Sequence, residues 1–179
     1  RNLSLLILPD NTGLPSIERA VNKLILNQAA QLTERAVEIQ RQLARVSAEN
    51  RDINSLLQVI ARATTKPVIM HDDAGVMMSQ VYPTIGKRGM SGRSLIQNLP
   101  YAEFQKWLDA DAPRTQGKIM SSPIGFTTAL TVEKRVTAYL SIVSKDTAID
   151  EFDRLVLSYG ADVCSIELAK TRAIETAVE

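Results

Sequence analysis

The chain has 179 residues, and its 21 basic and 20 acidic side chains leave a formal net charge of +1. This balance excludes a large charged field that would by itself select a nucleic-acid or membrane partner. The contents of 45% hydrophobic and 23% charged residues are typical of a folded globular chain. No apolar run approaches the ~20 residues of a membrane span, and the single cysteine, Cys164, favours a cytoplasmic location without disulfides.

The start of the sequence predicts a fragment of a longer protein, because the chain opens on Arg1 without an initiator methionine or a signal peptide. Leu3 to Leu8 form a short aliphatic run that ends at a turn-rich cluster. We interpret residues 1–14 as a remnant strand of a preceding domain, because an isolated strand cannot satisfy its own backbone groups.

Residues 15–50 are predicted as one long connector helix, because residues 16–66 contain neither glycine nor proline. Apolar residues recur there at alternating steps of four and three, which is the period of a coiled-coil seam. This seam consists of Ile25, Ala29, Leu32, Ala36, Ile39, Leu43 and Val46. We assign it to homodimerisation, with the alternative that the helix folds back on its own domain.

Two interpretations are open for the residues that follow the seam. The same register extends through Asn50 to Ile53, Leu57 and Ile60, which would continue the coiled coil with a polar residue that fixes its register. Alternatively, residues 47–52 form a junction, and Asn50 or Asp52 caps a second helix from Ile53 to about Thr64.

Residues 51–179 are predicted to form an α+β domain, in which short strands begin beyond Lys66. Pro67 to Asp72 and Val76 to Val81 flank a three-residue loop that ends in Gly75, which indicates a hairpin. The remaining predicted elements are a strand at 118–122, a second hairpin of strands at 126–132 and 136–142, and a helix at 100–110.

The final helix is predicted to begin after Asp150 as its N-cap. Its inner face is predicted to carry Phe152, Val156, Tyr159, Val163, Ile166 and Ala173. Gly160 lies within this helix at a cost of roughly 1 kcal/mol relative to alanine, and we expect its backbone to pack closely against the sheet.

The chain's chemistry-bearing residues do not indicate an enzyme. Two aspartates follow His71, but a metal normally needs three or four convergent ligands and the chain has no second histidine. We interpret His71 as a structural histidine at a strand end and Cys164 as a small buried hydrophobe. The sequence also lacks a G-x-S-x-G elbow. No catalytic residue, metal or cofactor is therefore predicted, and a small cytosolic enzyme is only the third interpretation.

A glycine-rich stretch at 86–94 has basic residues but not the spacing of a Walker phosphate loop. Two interpretations are open: a flexible solvated loop, or an anion site in which backbone amides and cations meet an acidic ligand. The candidate ligand-binding residues in this loop are Arg88, Gly89, Gly92 and Arg93. Tyr101 or Trp107 would supply an apolar wall.

The order of these elements resembles the purine-catabolism-regulator (PucR) family of bacterial transcription factors, which includes regulators of sugar-diacid use. Residues 5–9 and 17–21 resemble the last strand and exit helix of that family's sensor region, and residues 38–43 resemble its connector. Residues 56–61 and 66–75 resemble the start of a GAF-type domain, and residues 149–179 its closing helix.

The resemblance implies a GAF-like antiparallel sheet with helices on one face and a ligand or signalling surface on the other. It also implies that DNA is bound by a helix-turn-helix absent from this sequence. The implied function is sensing of a small-molecule effector, an organic acid or purine-breakdown metabolite, by the homodimeric regulatory region of a transcription factor. A dimerisation and spacer module without a ligand is the alternative.

Overall fold

The computed structural model of the chain describes residues 13–83, 96–145 and 148–178. Its helices are α1 (Leu14–Ala48), α2 (Ile53–Thr64), α3 (Tyr101–Ala110) and α4 (Glu151–Val178). Its strands are β1 (Val68–Asp72), β2 (Met77–Val81), β3 (Ile119–Ser122), β4 (Gly125–Val132) and β5 (Arg135–Val143). The predicted strand at residues 3–8 and the glycine-rich loop at residues 86–94 lie outside the described residues.

The chain consists of two compact units, residues 1–35 and residues 36–179, and the boundary between them lies within helix α1. The described part of the first unit is the helical stretch from Leu14 onward. There Val21, Leu24 and Ile25 are 47%, 58% and 55% exposed, so this unit leaves an apolar stripe of α1 uncovered. The last turns of α1 belong to the second unit.

The junction between α1 and α2 is confirmed, and a continuous coiled coil through Asn50 is wrong. Helix α1 ends at Ala48, and Asn50 adopts a positive φ of 50°, a conformation that asparagine tolerates better than most residues. Asp52 then caps α2, because its carboxylate accepts a hydrogen bond from the backbone N–H of Ser55 at 3.1 Å.

The predicted α+β fold is confirmed as a five-stranded sheet of order β2-β1-β5-β4-β3, in which the neighbouring strands pair antiparallel. This arrangement is consistent with a GAF-like domain. Gly75 ends the β1–β2 loop with a φ of +82°, as the predicted hairpin required.

Helices α2 and α4 cover the first face of the sheet, together with the end of α1. Leu43 of α1 and Ile60 of α2 are fully buried there with Leu140 of β5 and Leu157 of α4. Every second residue of each strand points to this face, and these side chains form the part of the core that the sheet contributes. The residues between them point to the other face, which we call the second face.

Helix α4 begins as predicted, and most of its predicted inner face packs against the core. Asp150 accepts a hydrogen bond from the Asp153 backbone N–H at 2.7 Å, which confirms the predicted cap. Val156 is fully buried and Phe152, Tyr159 and Val163 are partly buried against the core, as predicted, whereas Ile166 and Ala173 are exposed. The other fully buried residues are Leu157, Ala161 and Cys164, so the centre of the buried side lies about one residue, or roughly 100°, from the centre of the predicted stripe.

Candidate functional site

The second face of the sheet combines buried polar and apolar side chains. Cross-strand pairing aligns Ile69, Ser141 and Thr127 in one row and His71, Tyr139 and Ala129 in the next. Helix α3 covers this face, because its buried residues Phe104 and Leu108 pack with Tyr139 and Ala129.

His71 is the polar centre of this face. It is 0% exposed, and its ring centroid lies 4.7 Å from that of Phe104 and 6.4 Å from that of Tyr101. Burial lowers the pKa of His71 to about 4, and the nearby charge of Asp72 opposes this shift only in part. The imidazole is therefore neutral at physiological pH, with one nitrogen that donates and one that accepts.

Two side chains of this cluster lack hydrogen-bond partners within the described part of the chain. Neither ring nitrogen of His71 has one, and neither does the buried hydroxyl of Tyr101. Burial also raises the pKa of Tyr101, with a further contribution from Tyr82, so its phenol keeps its proton. Buried polar groups are nearly always hydrogen-bonded, so these groups have the capacity to bind a polar partner, whether water or a ligand.

A second polar group on the same face is internally satisfied. The Thr127 and Ser141 hydroxyls lie 2.8 Å apart, and Thr127 donates to the Ser122 hydroxyl at 2.9 Å. Because these three hydroxyls are hydrogen-bonded within the group, we interpret them as structural groups of the sheet and not as ligand-binding groups.

The predicted ligand residues divide into two groups. Arg88, Gly89, Gly92 and Arg93 lie outside the described residues. Tyr101 and Trp107 both lie on α3, where Trp107 stacks on Phe104 with ring centroids 5.8 Å apart and Tyr101 lies beside His71. The two predicted aromatic residues therefore belong to one continuous row of ring contacts, in which His71 and Phe104 lie between Tyr101 and Trp107.

Sequence reasoning did not include His71 and Phe104 in the candidate site. Strand alternation could have indicated that His71 points to the second face. Met70, the residue before it in β1, is apolar and is buried on the first face, and successive residues of a strand point to opposite faces. The approach of Phe104 had no sequence signal, because it depends on how α3 docks on the sheet.

The predicted dimerisation residues also divide into two groups. Ile25 is exposed and Leu32 is half-buried in the first unit. In the second unit Ala36 and Leu43 are buried, while Ile39 and Val46 are partly buried and pack against the first-face core of the same chain. The end of the predicted seam therefore packs within its own domain.

Cys164 has the environment of a structural residue. Its side chain is fully buried in the first-face core, and burial raises the pKa of its thiol to about 12, with a further contribution from Glu167. The described residues contain no group of three or more histidine, cysteine, aspartate and glutamate side chains arranged to hold a metal ion.

The sequence matches no protein-family model and no curated protein. Among the described helices, none has the length and apolar character needed to cross a bilayer.

Proposed function

We propose that this chain is the regulatory region of a bacterial transcription factor, in which the α+β unit binds a small-molecule effector and the helices form a homodimer. In this proposal, DNA is bound by a helix-turn-helix outside this sequence. The effector lies on the second face of the sheet, between His71 and helix α3. The proposed role of the chain is binding and not catalysis.

The observation that carries this proposal is a pair of buried polar groups, the imidazole of His71 and the hydroxyl of Tyr101, which lack hydrogen-bond partners among the described residues. An unsatisfied buried polar group costs roughly 1–3 kcal/mol, so a partner at this position would stabilise the folded state. His71 lies beside the aromatic rings of both Phe104 and Tyr101. Small-molecule sites commonly combine such an apolar wall with a few convergent polar groups.

The chemistry of the two groups favours an acidic effector. The neutral imidazole of His71 offers one N–H donor and the phenol of Tyr101 offers one O–H donor, and a carboxylate accepts from both. Sugar acids and acids from purine breakdown are therefore the first class to test. Arg88 and Arg93, in the glycine-rich loop, are the candidate cations for the same ligand.

The test is a thermal-shift and calorimetric screen of the native chain against these acids. Tyr101→Phe removes one hydroxyl and keeps the ring, and we expect it to weaken acid binding about tenfold, because a hydrogen bond to a charged group contributes roughly 1.5–3 kcal/mol. The double variant Arg88→Ala, Arg93→Ala tests the loop cations separately.

Tyr159→Phe is the matched control, because it deletes the same atom from a residue that packs against the core of the first face. It should leave acid affinity unchanged. An acid that binds equally well to native chain, Tyr101→Phe and His71→Leu would contradict a site on the second face.

The dimer part of the proposal rests on the exposed stripe of α1. Val21, Leu24 and Ile25 share one side of a helix by their spacing and are each about half exposed. A second copy of the same stripe would cover them as in a coiled coil. We expect light scattering to give twice the chain mass of 19.7 kDa.

Val21→Glu with Ile25→Glu should weaken this dimer, because it places four carboxylates in one seam. Asn27→Glu with Ala30→Glu is the matched control, because it adds the same charge to the opposite side of the helix. Substitutions at Leu43 are unsuitable, because Leu43 is fully buried in the second unit's own core. If the chain dimerises through α1 but binds no acid, the ligand-free spacer module is the better description.

A further inference from the structure

A surface groove of about 680 Å³ runs along helix α4 on the side turned away from the core. Its other wall is the end of β4 with the β4–β5 turn. We call it the α4 groove. The helix lines it with residues at steps of four and three, the spacing of a helix-pairing seam: Asp162, Ile166, Ala169, Ala173 and Thr176.

The apolar residues of this seam are left uncovered by the fold. Ile166 is 53% exposed and Ala173 is also exposed, although their pattern predicted an inner face. Ala169 and Ala173 are one turn apart and small, so another helix can approach this part of α4 closely. The seam therefore fits an α-helix.

A buried hydroxyl within the groove lacks a partner. Ser165 lines the groove and is 6% exposed, and its Oγ has no hydrogen-bond partner among the described residues. The wall beside it is well fixed, because Gln116 donates to Asp162 at 2.7 Å and accepts from Thr131 at 2.7 Å. A molecule that occupies the groove can therefore supply a partner for the Ser165 hydroxyl.

The negative and positive side chains of α4 in the groove lie at different positions along the helix. Asp162 lies toward one end, and Arg172 lies about ten residues further along α4, roughly 15 Å away along the helix. Arg172 has no ion-pair partner among the described residues. A helix with the opposite charge order would complement this groove, and α4 itself has that order when its direction is reversed.

We propose that the α4 groove binds helix α4 of a second copy of this chain in the antiparallel direction. Each Arg172 then reaches the Ser165 hydroxyl and the Asp162 carboxylate of the other copy. A two-fold axis beside position 167, midway between Asp162 and Arg172, makes the contact twice, as an isologous interface requires. A parallel pairing is disfavoured, because it brings Asp162 against Asp162 and Arg172 against Arg172.

This interface lies wholly in the second unit and does not rest on the effector or on the stripe of α1. The two helix contacts are separable by substitution, because each uses different residues. Failure of one leaves the other and the effector site unaffected.

The experiment uses the full chain with Val21→Glu and Ile25→Glu, which disables the α1 stripe. Sedimentation analysis should still show self-association in this background. Arg172→Glu should weaken it at least tenfold, because a carboxylate then meets Asp162 of the other copy. Arg154→Glu is the matched control: it is the same charge reversal on an exposed residue of α4 that does not line the groove, and it should change nothing.

A second experiment distinguishes antiparallel from parallel pairing of the two α4 helices. Adding Asp162→Lys to Arg172→Glu should restore association, because opposite charges again meet in the antiparallel pair. In a parallel pair the double variant stays weak. Circular-dichroism melts check that each variant is folded.

Three results would overturn the proposal: equal association of Arg172→Glu and Arg154→Glu, no rescue by the double variant, or a monomeric chain in the α1-disabled background. The last result would assign the groove to a different partner.

Discussion

Gly160 of helix α4 lies directly against Ile60 of helix α2. A Cβ at position 160 would overlap the Cδ1 of Ile60 and lie 3.0 Å from its Cγ1, whereas the nearest atom of the sheet, Cδ2 of Leu140, is 3.7 Å away. The close contact predicted for this glycine therefore exists, but it is chiefly with the neighbouring helix. The glycine allows α2 and α4 to lie side by side on the first face.

Gly160→Ala should destabilise the fold despite the better helix propensity of alanine. Propensity favours alanine by about 1 kcal/mol, but overpacking a filled core typically costs about 1–3 kcal/mol. Ile60→Val removes the obstructing methyl group. In a double-mutant cycle by urea unfolding, the double variant should be more stable than the two single changes predict by addition. Simple additivity would contradict the contact.

The burial of His71 predicts a pH-dependent stability. Its pKa of about 4 in the folded chain lies below the ordinary 6.5, so between these values the unfolded chain takes up a proton that the folded chain does not. Stability should therefore fall as pH drops from about 6.5 to 4, by about 3 kcal/mol over the window.

The measurement compares urea unfolding of native chain and His71→Leu across this window. The unfolding free energy of the native chain minus that of His71→Leu should change with pH. Carboxylates titrate in both proteins, so their contribution cancels in this difference. A difference that stays constant from pH 4 to 7 would show that His71 titrates normally.

An ion pair ties the start of α4 to the segment before β1. Lys66 donates to the carboxylate of Asp153, which is nearly fully buried. Lys66→Ala should cost several kcal/mol, on the order of 3, because it leaves a buried charge without its cation. Replacing both residues, as Lys66→Met with Asp153→Leu, should cost less than Lys66→Ala alone. Thermal unfolding of the two variants decides this, and the reverse order would refute the role of the pair.

Cys164 should resist modification in the folded chain. Because burial raises the pKa of its thiol to about 12, the reactive thiolate is scarce at neutral pH. Iodoacetamide should label it only after unfolding, as measured by mass spectrometry. Cys164→Ala with Ala110→Cys provides the control, because position 110 is exposed at the end of α3 and should be labelled quickly. Rapid native labelling of Cys164 would contradict its burial.

Local features of the sequence identified most of the elements correctly. The absence of glycine and proline predicted α1 and α2, alternation predicted β4 and β5, and turn residues such as Gly75 predicted the first hairpin. These features are decided within a few residues, by backbone sterics and by side-chain period. The sequence also offered two solutions at Asn50, and the capping of α2 by Asp52 selected the junction.

The sequence by itself thus determined the type and order of the elements, because backbone preference and hydrophobic period are local properties. Only the tertiary structure decided which sides of these elements are covered. Helix α4 has two adjacent apolar stripes, and packing against Ile60 selected the one with Cys164 and left Ile166 exposed. Likewise, His71 joins Tyr101 and Phe104 only because α3 docks on the second face. Such choices depend on contacts between residues far apart in the chain, which no local pattern encodes.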